Sequence, residues 1–198
     1  WIALNDLADT WSLEEVTKNL SEFADKAINL SWRASFLKEL KKGKFPKQYD
    51  GDPNKVGFFI LAMGKLGAFE LNYSSDIDLI CFFDEEVFRP DEFQDVRRIF
   101  INATKNMYRI LNENGKDGYV FRTDLRLRPD PSVTPVCMGV DAAERYYSSL
   151  GRTWERAAFI KGRVCAGDYS AGIKFLKNME PFVWRKYLDY AAISDAHD

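Results

Sequence analysis

Two apolar runs, separated by a glycine turn and marked by paired acids, occupy residues 56–84, VGFFILAMGKLGAFELNYSSDIDLICFFD. The second run constrains the fold most. From Asp76 to Phe83 it alternates as a β-strand does: Ile77, Leu79, Cys81 and Phe83 line one face, while Ile80 and Phe82 continue the other. Strand residues two apart project from the same side, so Asp76 and Asp78 place two carboxylates about 6.6 Å apart at the mouth of a buried strand. Two anions there repel unless a cation lies between them. Hard oxygen ligands suit Mg²⁺, which takes one or two protein carboxylates and fills its other positions with water and substrate phosphate. Upstream, Val56 to Met63 forms the first apolar run, and Gly64-Lys65-Leu66-Gly67 breaks it where a strand would turn into a short helix. Backbone N–H groups at such a turn can receive phosphate.

This order resembles the nucleotidyltransferase signature of the DNA polymerase β type. An acid-x-acid pair alone also suits a surface strand or turn. Further support lies at Tyr119 to Arg128, YVFRTDLRLR, where alternation puts Tyr119, Phe121, Thr123, Leu125 and Leu127 on one face and Val120, Arg122, Asp124, Arg126 and Arg128 on the other. That is the pattern a phosphate site needs: Asp124 as a third metal carboxylate beside guanidinium groups that bind phosphate oxygens bidentately. A solvent-exposed strand with cross-strand ion pairs gives the same alternation, but three arginines on one face repel if nothing anionic is present.

GKLGAFELNYSSDIDL, RTDLRLRPDP and GRTWERAAFIKGRVCAGD resemble, in order and spacing, successive motifs of the glutamine synthetase adenylyltransferase/adenylyl-removing family, whose members carry two related nucleotidyltransferase halves. The resemblance covers residues 56 to about 190. ELNYSSDIDL and WERAAFIK are more similar to the amino-terminal, deadenylylating half; the transferring half usually reads glycine-serine before its acids and has a histidine after the WE. The resemblance implies an α+β fold, a polymerase β-like mixed sheet with flanking helices and helical extensions at both ends. It also implies removal of AMP from a glutamine synthetase tyrosine by phosphorolysis, releasing ADP. Asp76, Asp78 and Asp124 would hold one or two Mg²⁺ ions. Arg126, Arg128 and Arg122 would neutralise the incoming phosphate, and the Gly64 to Gly67 turn, with Lys65 and Ser75, would contact the nucleotide phosphate. The implied partners are glutamine synthetase, nucleotide and phosphate, and a PII signal protein acting through the full-length enzyme. Ala62 and Ala68 stand where the family commonly has glycine, which puts the phosphate turn in question. Forward adenylyl transfer from ATP and a non-catalytic nucleotide-sensing module are the rival readings, with an acidic surface patch as the plainest one.

At 198 residues and 46% hydrophobic, the chain is long enough for one sizeable core. A net charge of -2 argues against a general polyanion binder such as a nucleic-acid protein. Cys81, Cys137 and Cys165 are odd in number and lack C-x-x-C spacing, so they read as reduced, buried residues of a cytoplasmic protein. The one histidine, His197, leaves no room for Ser-His-Asp chemistry or a histidine-rich metal site. There is no membrane-length apolar stretch and no signal-peptide pattern.

The spacing predicts a mainly helical extension over 1–42, with a capping box at Ser12-Leu13-Glu14-Glu15 and a stripe of Val16, Leu20, Phe23, Ala27 and Leu30. Residues 43–55 carry the breakers of a linker, and 56–190 form the nucleotidyltransferase domain. A helix from about Asp91 to Asn114 is expected to cross over between the Asp76 and Asp124 strands. Beyond Pro131 the chain reads as helical, with Asp141 as a cap, Gly151 as a stop and a helix from Thr153 to about Val164 that places Arg152, Arg156, Phe159 and Arg163 on one face. The family resemblance implies that Glu155, Arg156, Lys161 and Arg163 all serve the site; helical geometry joins only Arg156 and Arg163, and a solvated face with local ion pairs is the alternative. The start at Trp1 without methionine and the lack of a stop signal over 194–198 suggest a fragment, with 191–198 beginning a further segment.

Overall fold

The computed structural model describes residues 1–49 and 51–184. The expected end of the domain (185–190), the segment 191–198 and His197 lie outside the described residues. Helix α1 (Ile2–Leu7) precedes α2 (Leu13–Leu40), which opens on the expected capping box. Ser12 Oγ accepts the Glu15 N–H at 3.2 Å and Glu15 Oε2 accepts the Ser12 N–H at 2.7 Å, so two helix-end donors are satisfied reciprocally. Ser12→Ala should lower stability by about 1 kcal/mol. Urea unfolding with an unchanged slope checks this, and an unshifted midpoint would count against the cap.

The buried row of α2 runs along every fourth residue, Val16, Leu20, Ala24, Ile28, Trp32 and Phe36. It is therefore rotated from the expected stripe, and Phe23 and Leu30 lie outward, 52% and 67% exposed. The reason is steric: Ser21, Ala24, Ser31 and Ser35 on the inner face let α2 approach closely, and Asn106 Nδ2 donates to Ser35 Oγ across that contact at 2.9 Å. Helix α2 is thus built into the core, with Trp32 stacked on Phe58 at 3.6 Å between ring centroids. The 43–55 segment does more than connect. Phe45 packs edge-on against Phe36, Tyr49 lies against Phe88, and Trp32 Nε1 donates to Pro53 O at 3.4 Å.

Strand β1 (Phe58–Ala62), α3 (Gly64–Gly67) and β2 (Ile77–Phe83) follow as expected, the strands antiparallel with Phe58 opposite Phe83. Helix α4 (Phe93–Asn112) then crosses over to β3 (Thr123–Asp124), which lies parallel to β2. Its buried face is formed by Val96, Ile99, Phe100, Ala103, Thr104, Met107 and Leu111. Strand β4 (Cys137–Gly139) pairs with the far end of the same edge of β2. Helices α5 (Val140–Ser149) and α6 (Thr153–Ile160) lead into β5 (Arg163–Gly167) and α7 (Tyr169–Val183). The sheet order is β3-β2-β1-β5, with β4 beside β2. One core lies between the sheet and α2 and α4; the other packs Phe59, Leu61, Ile80 and Phe82 against residues of α5, α6 and α7. Cys81, Cys137 and Cys165 are all buried and unbridged. Among the described residues no helix is long and apolar enough to cross a membrane.

Three further expectations need correction. Asp141 is not the cap of its helix: α5 opens on Gly139, and Asp141 lies within the first turn. The Tyr119 to Arg128 strand shrinks to Thr123–Asp124, because Asp124 Oδ1 accepts the Arg126 backbone N–H at 2.7 Å and turns the chain out of the sheet. The Thr153 to Val164 helix ends at Ile160, and β5 pairs antiparallel with β1 instead. Gly167, at φ +82°, takes a left-handed turn there against the Phe58 carbonyl, where a Cβ would collide.

Candidate active site

The parallel register sets Asp78 directly opposite Asp124, and Asp76 immediately precedes β2. Ile77 N–H donates to Arg122 O at 2.8 Å, which fixes β3 beside the first residues of β2. On the other side of β2, Met63 N–H donates to Asp78 O at 2.9 Å, bringing the β1–α3 turn alongside. Gly64 at that turn has φ +55°, a left-handed backbone that favours glycine, and a Cβ there would stand 3.1 Å from Asp78 Oδ2 and crowd that carboxylate. Gly67 is equally restricted, since a Cβ would overlap the Lys161 carbonyl.

Electrostatics separate the three carboxylates. Burial, followed by the charges of Asp124 and Asp76, pushes the Asp78 carboxyl above the usual carboxylate range, with Arg126 opposing. Asp124 is held low, chiefly by its hydrogen bonds from Arg126: Nε lies 3.1 and 2.9 Å from its two oxygens, and Nη2 lies 2.6 Å from Oδ2. Asp76 accepts from Arg122 Nε at 2.5 Å, and Arg122 Nη2 donates to Ser74 O at 2.7 Å. As the side chains stand, the three expected ligands do not point at one ion, and among the described residues no three His, Cys, Asp or Glu groups do. The cause is visible in the pairs themselves: Asp76 and Asp124 are turned onto Arg122 and Arg126. The positions and the donor chemistry do fit a hard divalent cation, with oxygen ligands only and a repulsion at Asp78 that positive charge would relieve. A cation at Asp124 would compete with Arg126 for its carboxylate oxygens.

The remaining candidates divide. Lys65 is exposed on α3, and Ser75 Oγ donates to Asn72 Oδ1 at 2.9 Å in the loop before Asp76. Arg128 is directed at loop carbonyls, donating to Leu125 O, Pro131 O and Thr134 O at 2.6, 3.0 and 3.2 Å. Arg163, on β5 rather than a helix, pairs with Asp25 of α2 at 2.7 and 2.9 Å, donates to Leu66 O and Gly67 O, and lies over the Phe69 ring at 3.8 Å. Arg156 lies over Phe182 of α7, on the opposite side of the sheet from α2. Arg156 and Arg163 therefore share no face, because the helix that would align them ends between them. Lys161 Nζ pairs with Glu70 at 2.7 Å, and Glu155 caps its own helix by accepting the Arg152 N–H at 2.7 Å.

Sequence reasoning missed Lys105 and Tyr108. They face a cavity of about 380 Å³ that also touches Asp76 and Asp124. Nothing in α4 marks them except their position three residues apart on its outer flank. A larger cavity of about 570 Å³ lies between α5 and α7, away from the aspartates.

A glycine turn leading out of one central strand, paired acids on the next and a third acid on its parallel neighbour define a nucleotidyltransferase fold of the DNA polymerase β type. The family model for glutamate-ammonia ligase adenylyltransferase matches residues 1–178, and the chain belongs to that family. Relatives named bifunctional glutamine synthetase adenylyltransferase/adenylyl-removing enzyme include one from Bradyrhizobium sp. (strain BTAi1 / ATCC BAA-1182), 48% identical over 198 residues and 100% of this chain. Those from Rhizobium meliloti (strain 1021) and Caulobacter vibrioides (strain ATCC 19089 / CIP 103742 / CB 15) are 49% and 46% identical over 99% and 98% of it. The chain spans about one fifth of the length of these curated relatives, 20% in each case.

Proposed function

We propose that this domain removes AMP from an adenylylated tyrosine of glutamine synthetase, with inorganic phosphate as the attacking group and ADP as the product. The observation that carries the reading is the juxtaposition of Asp76, Asp78 and Asp124 at one end of the sheet with Arg122 and Arg126 paired to two of them. The direction rests on the likeness of ELNYSSDIDL and WERAAFIK to the deadenylylating half.

Asp76, Asp78 and Asp124 would hold Mg²⁺, which when bound supplies charge stabilisation at the attacking and leaving oxygens. The chain's own residues position and neutralise. Arg126 is 81% exposed at its side chain and is free to swing from Asp124 to an incoming phosphate, the same exchange that frees Asp124. Arg122 is placed to follow from Asp76. A phosphate oxygen then forms the new bond to the adenylyl phosphorus as the bond to the tyrosine oxygen breaks. Phosphate is already anionic, so little general-base help is needed. The phenolate leaves with the bonding pair and takes its proton from solvent; a reference pKa of about 10 makes it a better leaving group than a serine alkoxide.

Adenylylated glutamine synthetase, phosphate and Mg²⁺ should yield ADP in the presence of this protein. The names of the relatives cover both directions, so forward transfer is the second reading. Pyrophosphate formed from ATP and unmodified synthetase, with no ADP in the first assay, would replace the proposal by its rival.

A further inference from the structure

Resting on the adenylyl chemistry proposed above, we infer that the cavity beside β3 seats the nucleoside, with Tyr108 as the stacking surface for the base and Lys105 as a partner for a phosphate oxygen. The cavity, about 380 Å³, is walled by Lys105 and Tyr108 from α4, by Thr123, Leu125, Arg126 and Val136, and by Asp76 and Asp124. Its size falls within the span of small-ligand pockets. Its lining is of the kind a nucleotide needs: one aromatic ring, two aliphatic side chains, a lysine and the Arg126 guanidinium, beside the acids proposed to hold the metal that meets the phosphates.

Three features distinguish this wall from an ordinary solvated helix face. Tyr108 is 41% exposed, and among the described residues its ring stacks on no other aromatic and its hydroxyl makes no hydrogen bond. Lys105 forms no ion pair with any described residue, although Asp76 and Asp124 border the same cavity. The wall is also held rigidly against the site by a single side chain: Asn112 Nδ2 donates to Tyr108 O at 3.0 Å, while Asn112 Oδ1 accepts the Thr123 N–H at 3.0 Å. The helix turn carrying the ring is thereby tied to the strand carrying Asp124. A planar base on an aromatic face gains from stacking whatever its hydrogen-bond pattern, and a lysine ammonium binds phosphate as a point charge.

Calorimetric titration of ADP and of pyrophosphate, a probe without a base, tests the assignment in Mg²⁺ buffer. Tyr108→Ala should weaken ADP about tenfold or more, leave pyrophosphate unchanged and leave the thermal midpoint near that of the parent. Tyr108→Phe should restore ADP binding. Lys105→Ala should weaken both probes. Parental ADP affinity in Tyr108→Ala, or an equal loss for both probes, overturns the inference. So does an unchanged ADP affinity with a raised KM for adenylylated synthetase, which would assign the cavity to the polypeptide. A parent protein that binds no ADP would overturn the functional reading as well.

Discussion

Asp78→Asn is expected to abolish AMP removal while making the folded protein more stable at neutral pH. The loss of rate should be about 10³-fold or greater, since a metal-held carboxylate at the reacting phosphorus supplies several kcal/mol of charge stabilisation. The gain in stability follows from burial and from the like charges of Asp124 and Asp76, which raise the Asp78 carboxyl in the folded protein above its unfolded value. Its protonated form favours the fold: that contribution is full below the unfolded pKa of about 3.9 and is lost as pH rises through the folded one. Asparagine resembles the protonated group at every pH. The variant should therefore exceed the parent at pH 7 by no more than about 1 kcal/mol, since solvent screens this half-buried position, and the difference should close near pH 4. Asp124→Asn should behave oppositely. Arg126 lowers the Asp124 carboxyl, so the pair stabilises above the unfolded pKa and its contribution fades as pH falls through the folded one. Urea titrations at pH 4 and pH 7 beside the ADP assay decide the matter. Parental turnover in Asp78→Asn removes that residue from the chemistry, and a less stable variant at pH 7 removes the electrostatic account.

Arg163→Ala should lower stability by about 3 kcal/mol and the thermal midpoint by roughly 6–12 °C. The side chains of Arg163 and Asp25 are each 19% exposed and joined by two short bonds, and Arg163 also satisfies the last carbonyls of α3 and covers the Phe69 ring. Truncation leaves the Asp25 carboxylate without its partner at a site where burial already opposes its charge. The paired substitution Asp25→Leu with Arg163→Met should recover most of the loss, because no charge is then left uncompensated. An unshifted midpoint in Arg163→Ala would show that the pair contributes nothing. If both variants fall equally, the carbonyl contacts to α3, rather than the ion pair, carry the stability.

Arg163 also shows where a linear reading stops. Its spacing from Arg156 suits a helix as well as a loop into a strand, and the five-residue run RVCAG is short enough to continue either. Only its pairing with β1 settles the matter, and that pairing buries the guanidinium against a residue 138 positions earlier in the chain. The rotation of α2 is similar. Phe23 and Leu30 fit a helical apolar stripe, yet the inner face is chosen by the small residues that let α2 and α4 meet closely.

The sequence by itself determined the strand–turn–strand element, the crossover helix and the placing of Asp76 and Asp78 at the start of the second strand, because alternation, glycine breaks and helical periodicity are properties of neighbouring residues. Tertiary structure alone decided which arginines stand at those aspartates, where β4 and β5 pair, and which flank of α4 faces the cavity. Those outcomes depend on contacts between residues distant along the chain, where burial and charge pairing select one partner among several that local pattern leaves equivalent.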